Sequence, residues 1–344
     1  MKIQYFTVAR LYFIYYLLIV LILVYSPIAN AEGRAMTIKV AQAAPKGSIY
    51  HRVLQEVGAE WRKAQGSNSK FIIYPGGSQG TEANTVRRMR IGQLDASMLT
   101  VAGLKEIDES ITALQLMPLM FRTWEEFDYV HEQLRPELER KFLEKGFVVL
   151  FWGEGGWVQF FSTVPRLKPQ DYKSARIFAW AGTPSQIDIM KSLDYHPVVL
   201  ELSDILASLQ TGMVDVVPVP PMWALAFQLY GTTSHVLHMN WVPIVGATVI
   251  TTRTWEAMRP EARDAIRNAA VKAGARLRAH RSVQDDDTIK AMQAHGLTVH
   301  QITPEIEQEW QDLIRDVWPR IRGRLVPAEM FDRVQNLLTE YRNN

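Results

Sequence analysis

One short segment has the residue types and spacing of a catalytic nucleophile. Gly76, Ser78 and Gly80 form a Gly-x-Ser-x-Gly pattern between a strand-like run and a helix-like run, which is the context in which many hydrolases hold a reactive serine. Such a serine needs a histidine base and an oxyanion hole, but none of the eight histidines stands in a diagnostic context. Glycine-rich turns also occur without catalysis, so an exported serine hydrolase that uses Ser78 is a remote alternative.

Three other motifs lack the partners that their chemistry requires. Residues 153–156 are glycine-rich and follow a strand-like run, but no Gly-Lys-Ser/Thr follows them to bind phosphate. His235 and His238 lie three residues apart without a nearby carboxylate or cysteine to complete a metal site. The acidic run 285–287 lacks the alternating spacing of a calcium loop. We therefore predict no metal, no cofactor and no enzymatic activity.

The amino-terminal segment indicates export. Lys2 and Arg10 flank the start of an apolar run over residues 11–25, and Ala29 and Ala31 supply the small residues that a signal peptidase requires. This run is shorter than the roughly 20 residues that span a bilayer comfortably. We predict a signal peptide over residues 1–31, cleaved after Ala31, and a periplasmic mature protein; a retained anchor is the alternative.

The composition of the mature chain excludes two classes of protein. Its 36 basic and 36 acidic residues balance, whereas a nucleic-acid-binding protein needs a clustered basic surface. The chain has no cysteine, so no disulfide stabilises it. About 310 residues are enough to bury a large core in one or two domains.

The mature sequence alternates strand-like and helix-like runs, an order typical of a parallel sheet covered by helices. The first runs are strand-like at 36–43, 71–74 and 94–100 and helix-like at 50–63 and 81–91. The pattern restarts after a helix-like run over 125–145, and a final run from Pro260 to about His295 would form a helix of about 50 Å. We expect two α/β lobes with a ligand cleft between them and this long helix spanning both.

Five tryptophans lie near strand ends in the middle third of the chain. Most tryptophans pack in a core, but the position of these five near the expected cleft makes two or three of them candidate walls of a binding site. They are Trp152, Trp157, Trp180, Trp223 and Trp241.

Five motifs, in order and spacing, resemble the solute-binding subunits of TRAP (tripartite ATP-independent periplasmic) transporters of the dicarboxylate-binding type. They are residues 44–48, 74–80, 92–95, 117–121 and 209–215, and the resemblance runs from about Thr37 to Pro327. It implies a two-lobed periplasmic-binding-protein fold, each lobe a helix-covered, mostly parallel sheet. It also implies a receptor that closes by a hinge on a small solute, usually an organic acid, and delivers it to the small and large subunits of a membrane permease.

The resemblance also gives the domain boundaries. Lobe 1 is expected over residues 32–155 and 243–275, and lobe 2 over 156–242 and 276–330, followed by a helix or tail over 331–344. In this family the glycine turn of residues 74–80 opens a helix, which accounts for the pattern around Ser78. We expect a monomer that binds no nucleic acid.

The sequence departs from the family at three positions that the resemblance implies should bind a carboxylate. Phe178 stands where the gripping arginine is expected, Val158 where a second arginine is expected, and Val219 where an asparagine is expected. A shift of one residue in the alignment would bring Arg176 into play, although strand alternation puts Arg176 and Phe178 on the same face.

These departures favour a neutral, apolar or aromatic solute, because a buried carboxylate without a partner costs several kcal/mol or more. Glu82 and Thr100 could orient one hydroxyl or amine of such a solute. The alternatives are an organic-acid receptor with a rearranged arginine contact and a receptor for a membrane sensor. The predicted ligand-binding residues are Glu82, Thr100, Trp157, Val158, Phe178, Trp180, Leu202, Val219, Trp223 and Trp241.

Overall fold

The computed structural model describes residues 35–180 and 184–343, without the side chains of residues 282–286. The predicted signal peptide over residues 1–31 lies outside the described residues, as do the side chains of Asp285 and Asp286. None of the helices in the described part of the chain is both long enough and apolar enough to cross a membrane.

The elements alternate along the chain much as the sequence pattern predicts. The strands are β1 (Thr37–Gln42), β2 (Lys70–Tyr74), β3 (Ala96–Thr100), β4 (Phe147–Trp157), β5 (Gln159–Ser162), β6 (Arg176–Trp180), β7 (His196–Leu200), β8 (Val216–Val219), β9 (His235–His238), β10 (Pro243–Thr251) and β11 (Thr298–Gln301). The helices are α1 (Ile49–Gln65), α2 (Glu82–Arg90), α3 (Val101–Leu104), α4 (Trp124–Glu144), α5 (Pro184–Ser192), α6 (Ile205–Gln210), α7 (Pro221–Ala226), α8 (Thr252–Glu256), α9 (Pro260–Gln293), α10 (Pro304–Ile321) and α11 (Ala328–Asn343).

The strands form two sheets, each with one antiparallel strand inside it. The order of the first sheet is β2-β1-β3-β10-β4, and β10 runs antiparallel to β3 and β4. The order of the second sheet is β11-β9-β5-β8-β6-β7, and β5 runs antiparallel to β8 and β9. The prediction of two mostly parallel, helix-covered sheets is confirmed.

Helices begin where the sequence supplies a capping side chain. Ser48 accepts a hydrogen bond from the backbone N–H of His51 at the start of α1, and Thr81 and Thr123 cap α2 and α4 in the same way. The face of α1 predicted to be apolar is buried: Val53, Leu54, Val57 and Trp61 are at most 1% exposed. Local patterning therefore determines both where these helices start and which side packs on the sheet.

The long helix α9 packs against both halves of the protein, as predicted. Ala262, Ile266 and Leu277 belong to the core cluster formed with α1 and the first sheet. Further along the helix, Ile289 and Met292 belong to the core cluster under the second sheet. The helix ends at Gln293, close to the expected end near His295.

Helix α10 also spans the two halves. Ile306 and Trp310 pack with the second sheet, whereas Ile314, Val317 and Ile321 join the core of the first lobe around α4. Helix α11 then packs on that same core through Phe331 and Leu338. The exact lobe boundaries given above stay a prediction.

His131 is a buried histidine on the core-facing side of α4. It is 1% exposed, its ring stacks 5.6 Å from that of Phe127, and neither ring nitrogen has a hydrogen-bond partner among the described residues. Burial, together with the positive charges of Arg278 and Arg135, lowers the pKa of His131 to about 3. The folded protein therefore holds this ring neutral.

We expect His131→Leu to make the protein less sensitive to acid. The unfolded chain protonates His131 below its ordinary pKa of 6.5, so the wild-type contribution to stability is present above that pH and is lost as the pH falls toward about 3. The loss is at most about 1.4 kcal/mol per pH unit. We will see this in urea unfolding near pH 7.5 and near pH 5: relative to the wild type, the free energy of unfolding of the variant should be higher at the lower pH.

The matched control is His196→Leu, because His196 is exposed on β7. Its free energy of unfolding should keep a constant difference from the wild type at both pH values. If His131→Leu also keeps a constant difference, His131 is not held neutral in the fold.

Candidate functional site

Within the described residues, the chain passes between the two sheets three times: from β4 to β5, from β9 to β10, and from β10 through α9 to β11. The first two crossing segments are hydrogen-bonded to each other. Val158, between β4 and β5, donates its N–H to the carbonyl of Val242 at 2.9 Å. The N–H of Trp241, between β9 and β10, donates to the carbonyl of Val158 at 3.2 Å. These segments therefore form a short backbone ladder between the lobes.

A cavity of about 210 Å³ lies beside this ladder, and we refer to it as the large cavity. Its floor is made of Val158, Trp241 and Val242 of the crossing segments together with Ile244 at the start of β10. Ile177 and Ala179 on β6 form one wall, and side chains of α10 close the cavity. The α10 residues are Trp310, Leu313, Ile314, Val317 and Ile321.

Aromatic rings dominate one end of the large cavity. The ring of Phe160 lies 5.3 Å from that of Trp241 and 5.2 Å from that of Tyr172, and Trp241 lies 5.5 Å from Trp310. The hydroxyl group of Tyr172 donates to the carbonyl of Arg166, and that of Tyr195 donates to the carbonyl of Pro169. Because these hydroxyl groups bond to backbone, the tyrosines present mainly ring surface to a ligand.

A second cavity, of about 60 Å³, adjoins the first, and we refer to it as the small cavity. Both cavities share Ile244 as a lining residue, and Trp180 of the large cavity contacts Trp223 of the small one with ring centroids 6.3 Å apart. The small cavity differs in character because Glu82 and Glu154 line it. The site as a whole is thus an apolar chamber with an acidic end.

Glu82 is positioned by the start of α3. Its two carboxylate oxygens lie 3.0 and 3.1 Å from the N–H of Thr100, and the Thr100 hydroxyl group donates to Oε2 at 2.8 Å. Burial raises the pKa of Glu82 despite these hydrogen bonds from Thr100 and a further one from the backbone of Gly103. Within the described residues, Glu82 forms no ion pair.

Glu154 lies on β4 and is 3% exposed. Its Oε2 is 3.6 Å from Nη1 of Arg281, whose guanidinium group also hydrogen-bonds to Asp128 and lies 4.4 Å from the ring centroid of Trp124. Burial raises the pKa of Glu154, and the positive charges of Arg281 and Arg278 oppose that shift. Glu154 is therefore a buried carboxylate whose cation is shared with Asp128.

The predicted ligand-binding residues fall into three groups. Val158, Trp180 and Trp241 line the large cavity, and Glu82, Thr100 and Trp223 line the small one. The other four belong to neighbouring cores and line neither of these cavities; their contact with a ligand stays a prediction. They are Trp157, Phe178, Leu202 and Val219.

The strand β6 explains why Phe178 is separate from the large cavity. Ile177 and Ala179 face the cavity, whereas Phe178 points to the other side of the sheet and packs with Val219. Arg176, the alternative carboxylate ligand, is exposed and donates through Nε and Nη2 to Asp215 at 3.2 and 3.1 Å.

Several residues that line the two cavities were not predicted from the sequence. Lys105, Tyr50, Glu154 and the α10 side chains come from distant parts of the chain. A signal for α10 is present in the sequence, because Trp310, Ile314, Val317 and Ile321 follow helical spacing. Glu154 is an acidic residue between glycines at the end of an apolar run, which could also have been noticed.

The glycine pattern around Ser78 forms a tight turn. Gly76, Gly77 and Gly80 have φ values of 67°, 70° and 93°, a region that favours glycine. The N–H groups of Gly76 and Gly77 bond to carbonyls at the end of β1. Ser78 is exposed and has no hydrogen bond to a histidine in the described part of the chain. The turn, rather than nucleophilic chemistry, accounts for the pattern.

Each histidine of β9 has a hydrogen-bond partner on β11 in the fold. Nδ1 of His235 lies 3.1 Å from Nε2 of His300 on β11, and Nδ1 of His238 lies 3.3 Å from the amide nitrogen of Gln301. Among the described residues, no group of three or more histidine, aspartate or glutamate side chains could hold a metal ion.

The comparison with protein families matches most of the chain. The family model DctP, described as bacterial extracellular solute-binding protein family 7, matches residues 40–323. The chain belongs to the DctP family. Among curated proteins, it is 18% identical over 255 residues to the C4-dicarboxylate-binding periplasmic protein of Rhodobacter capsulatus, covering 74% of this chain and 76% of that protein. The prediction of a TRAP solute-binding protein, and not an enzyme, is confirmed.

Solved structures of TRAP periplasmic solute-binding proteins share the two-lobed fold. One from Shewanella oneidensis with bound succinate has a TM-score of 0.80 at 14% identity, covering 88% of this chain and 99% of that one. One from Xanthobacter autotrophicus with bound β-D-galacturonate has a TM-score of 0.78 at 17% identity with the same coverage. The predicted fold of this DctP-family chain is thereby confirmed.

Gly246 on β10 lies where the backbones around the small cavity approach most closely. A Cβ atom there would lie 2.6 Å from the carbonyl oxygen of Leu99. The backbone around Leu99 can move away only at a cost in the stability of the fold. We expect Gly246→Ala to destabilise the protein by about 1–3 kcal/mol, seen as a lower midpoint in urea unfolding. Gly231→Ala is the control, because no atom lies within 4 Å of its added Cβ. Equal midpoints for the two variants would show that the approach at Gly246 is not tight.

Proposed function

We propose that this protein is the receptor of a TRAP-type transporter for a small, neutral, mainly apolar or aromatic solute. The solute binds between the lobes, the lobes close about the crossing segments, and the closed form delivers it to the membrane permease. The observation that carries this proposal is the large cavity, which is lined almost entirely by apolar and aromatic side chains.

The size of the large cavity fits a solute somewhat larger than benzene. An engineered apolar cavity of about 150 Å³ stays dry and binds benzene, and this one measures about 210 Å³. Burial of about 200 Å² of apolar ligand surface would contribute about 5 kcal/mol before the costs of association. This gain favours a compact ring or a branched hydrocarbon group.

The floor of the cavity couples binding to closure. Val158 and Trp241 belong to the hydrogen-bonded crossing segments and also line the large cavity. A solute there contacts both lobes and the hinge at once, so it can bind the closed form more tightly than the open form. Such a difference in affinity is what shifts the population toward closure.

The cellular setting of the proposal follows from the family and the amino terminus. We place the mature protein in the periplasm after cleavage behind Ala31, as a monomer that works with a small and a large permease subunit. The lobes in this proposal are residues 32–155 with 243–275 and residues 156–242 with 276–330. A membrane sensor as partner is the other reading of the same receptor.

An organic-acid solute is the second candidate function. The Shewanella and Xanthobacter proteins hold succinate and galacturonate, and Lys105 lines the large cavity of this chain as its one cationic side chain in the described structure. Against it stand Phe178, Val158 and Val219 at the positions where the family's carboxylate-binding side chains are expected.

Thermal unfolding with a ligand panel separates the two candidates. We expect indole and benzyl alcohol to raise the melting temperature, because a ligand that binds only the folded state stabilises it by mass action. Succinate and galacturonate should leave it unchanged. Micromolar binding of either acid, with no effect of the neutral aromatics, would contradict the proposal, and loss of that binding in Lys105→Met would establish the acid receptor.

Filling the large cavity should abolish binding without unfolding the protein. Ala179 is buried and faces the cavity, so the ring of Ala179→Phe would occupy the space of the solute. We expect the neutral aromatic ligands to lose at least tenfold in affinity by calorimetry. Ala207→Phe, on the exposed side of α6, adds the same volume and should bind normally. Normal binding by Ala179→Phe would show that the solute lies elsewhere.

A further inference from the structure

We propose that the solute carries one ammonium group, which binds in the small cavity between Glu82 and Glu154 while the apolar body fills the large cavity. This inference rests on the proposed function for the site and for the apolar body of the solute, and it replaces the neutral solute of that proposal with a cationic one. It makes the receptor selective for an aryl- or alkylamine over the matching alcohol or acid.

The small cavity is lined by acidic side chains and by no basic ones. Glu82 and Glu154 line it, and none of its lining residues is a lysine, arginine or histidine. Arg281 lies 3.6 Å from Glu154 but also bonds to Asp128, so its positive charge is shared between two carboxylates. An ammonium group in the small cavity would favour the ionised form of Glu82 and Glu154, whereas an anionic head group would meet no cation among the lining residues.

Glu154 has room for a closer partner. Its side chain is 2% exposed, and its Oε2 lies 3.6 Å from Nη1 of Arg281, an ion-pair contact longer than a hydrogen bond. A buried carboxylate with few hydrogen bonds is costly. An ammonium group has three N–H donors, enough to supply Glu154 and the oxygens of Glu82 that Thr100 leaves partly open.

Aromatic walls suit the same group. Trp223 and Tyr50 line the small cavity beside the two carboxylates. The face of an indole ring attracts a cation, and the attraction is strongest where water is excluded. Carboxylates together with aromatic faces bind an ammonium group better than they bind a hydroxyl group.

The sizes and the connection of the cavities fix the orientation. The small cavity, about 60 Å³, has room for an ammonium group and the carbon that bears it, and the large one, about 210 Å³, has room for a ring. Ile244 lines both, and Trp180 and Trp223 meet between them. A ring joined to an amine by a short chain fits both cavities at once.

Three probes with one aromatic body test the inference by calorimetry at neutral pH. They are 2-phenylethylamine, 2-phenylethanol and phenylacetate, which differ only in the polar group. We expect the amine to bind at least tenfold more tightly than the alcohol, and the acid not to bind. Glu82→Gln should reduce the ratio of the affinity for the amine to that for the alcohol at least tenfold.

The control variant is Glu106→Gln, an exposed glutamate just beyond α3 that lines neither cavity; it should bind all three probes as the wild type does. If Glu82→Gln does not fold, Glu154→Gln should show the same loss. An alcohol that binds as tightly as the amine overturns the inference and leaves the proposed function standing. An acid that binds best, or no binding by any probe, overturns the proposed function as well.

Discussion

The structure depends on how the chain connects its two sheets: each sheet contains one antiparallel strand that the chain enters directly from the other sheet. After β4 leaves the first sheet, β5 enters the interior of the second sheet antiparallel to its neighbours, and after β9 the chain returns as β10, antiparallel inside the first. Each lobe therefore holds a strand that it received through a crossing segment. Because these two segments bond to each other through Val158, Trp241 and Val242, they form a two-stranded ribbon between the sheets, and the large cavity lies against it.

Two helices add to this connection. Helix α9 passes from the core of the first lobe to the core of the second, and Arg281 ties it to Asp128 and Glu154 on the first lobe. Helix α10 does the same on the other side and covers the large cavity. Such helices limit the lobes to movements that keep both cores packed, because buried apolar contacts are costly to separate. The large cavity is thus enclosed by elements that connect the two lobes.

Sequence patterning predicted what is local and left out what is tertiary. The apolar face of α1, the strand runs and the length of α9 follow from periodicity and caps, so they could be read directly. Alternation also shows that Ile177 and Ala179 share a face opposite Phe178, but it cannot tell which face turns toward a cavity. That choice depends on α10, whose Trp310 lies far along the chain, and on Lys105 and Glu154, which only the fold brings near. The sequence therefore predicted part of the site. It predicted Glu82 and the residues at the crossing, but not the side of the large cavity that α10 forms.

The polar groups of the site differ between the two cavities. In the large cavity the tyrosine hydroxyl groups bond to backbone carbonyls, so little is left to recognise a polar ligand. In the small cavity the opposite holds, because two carboxyl groups, Glu82 and Glu154, line it and burial raises the pKa of each. A cationic group beside a buried carboxyl group favours its ionised form. In the proposed function, selectivity arises from the contrast between the two cavities.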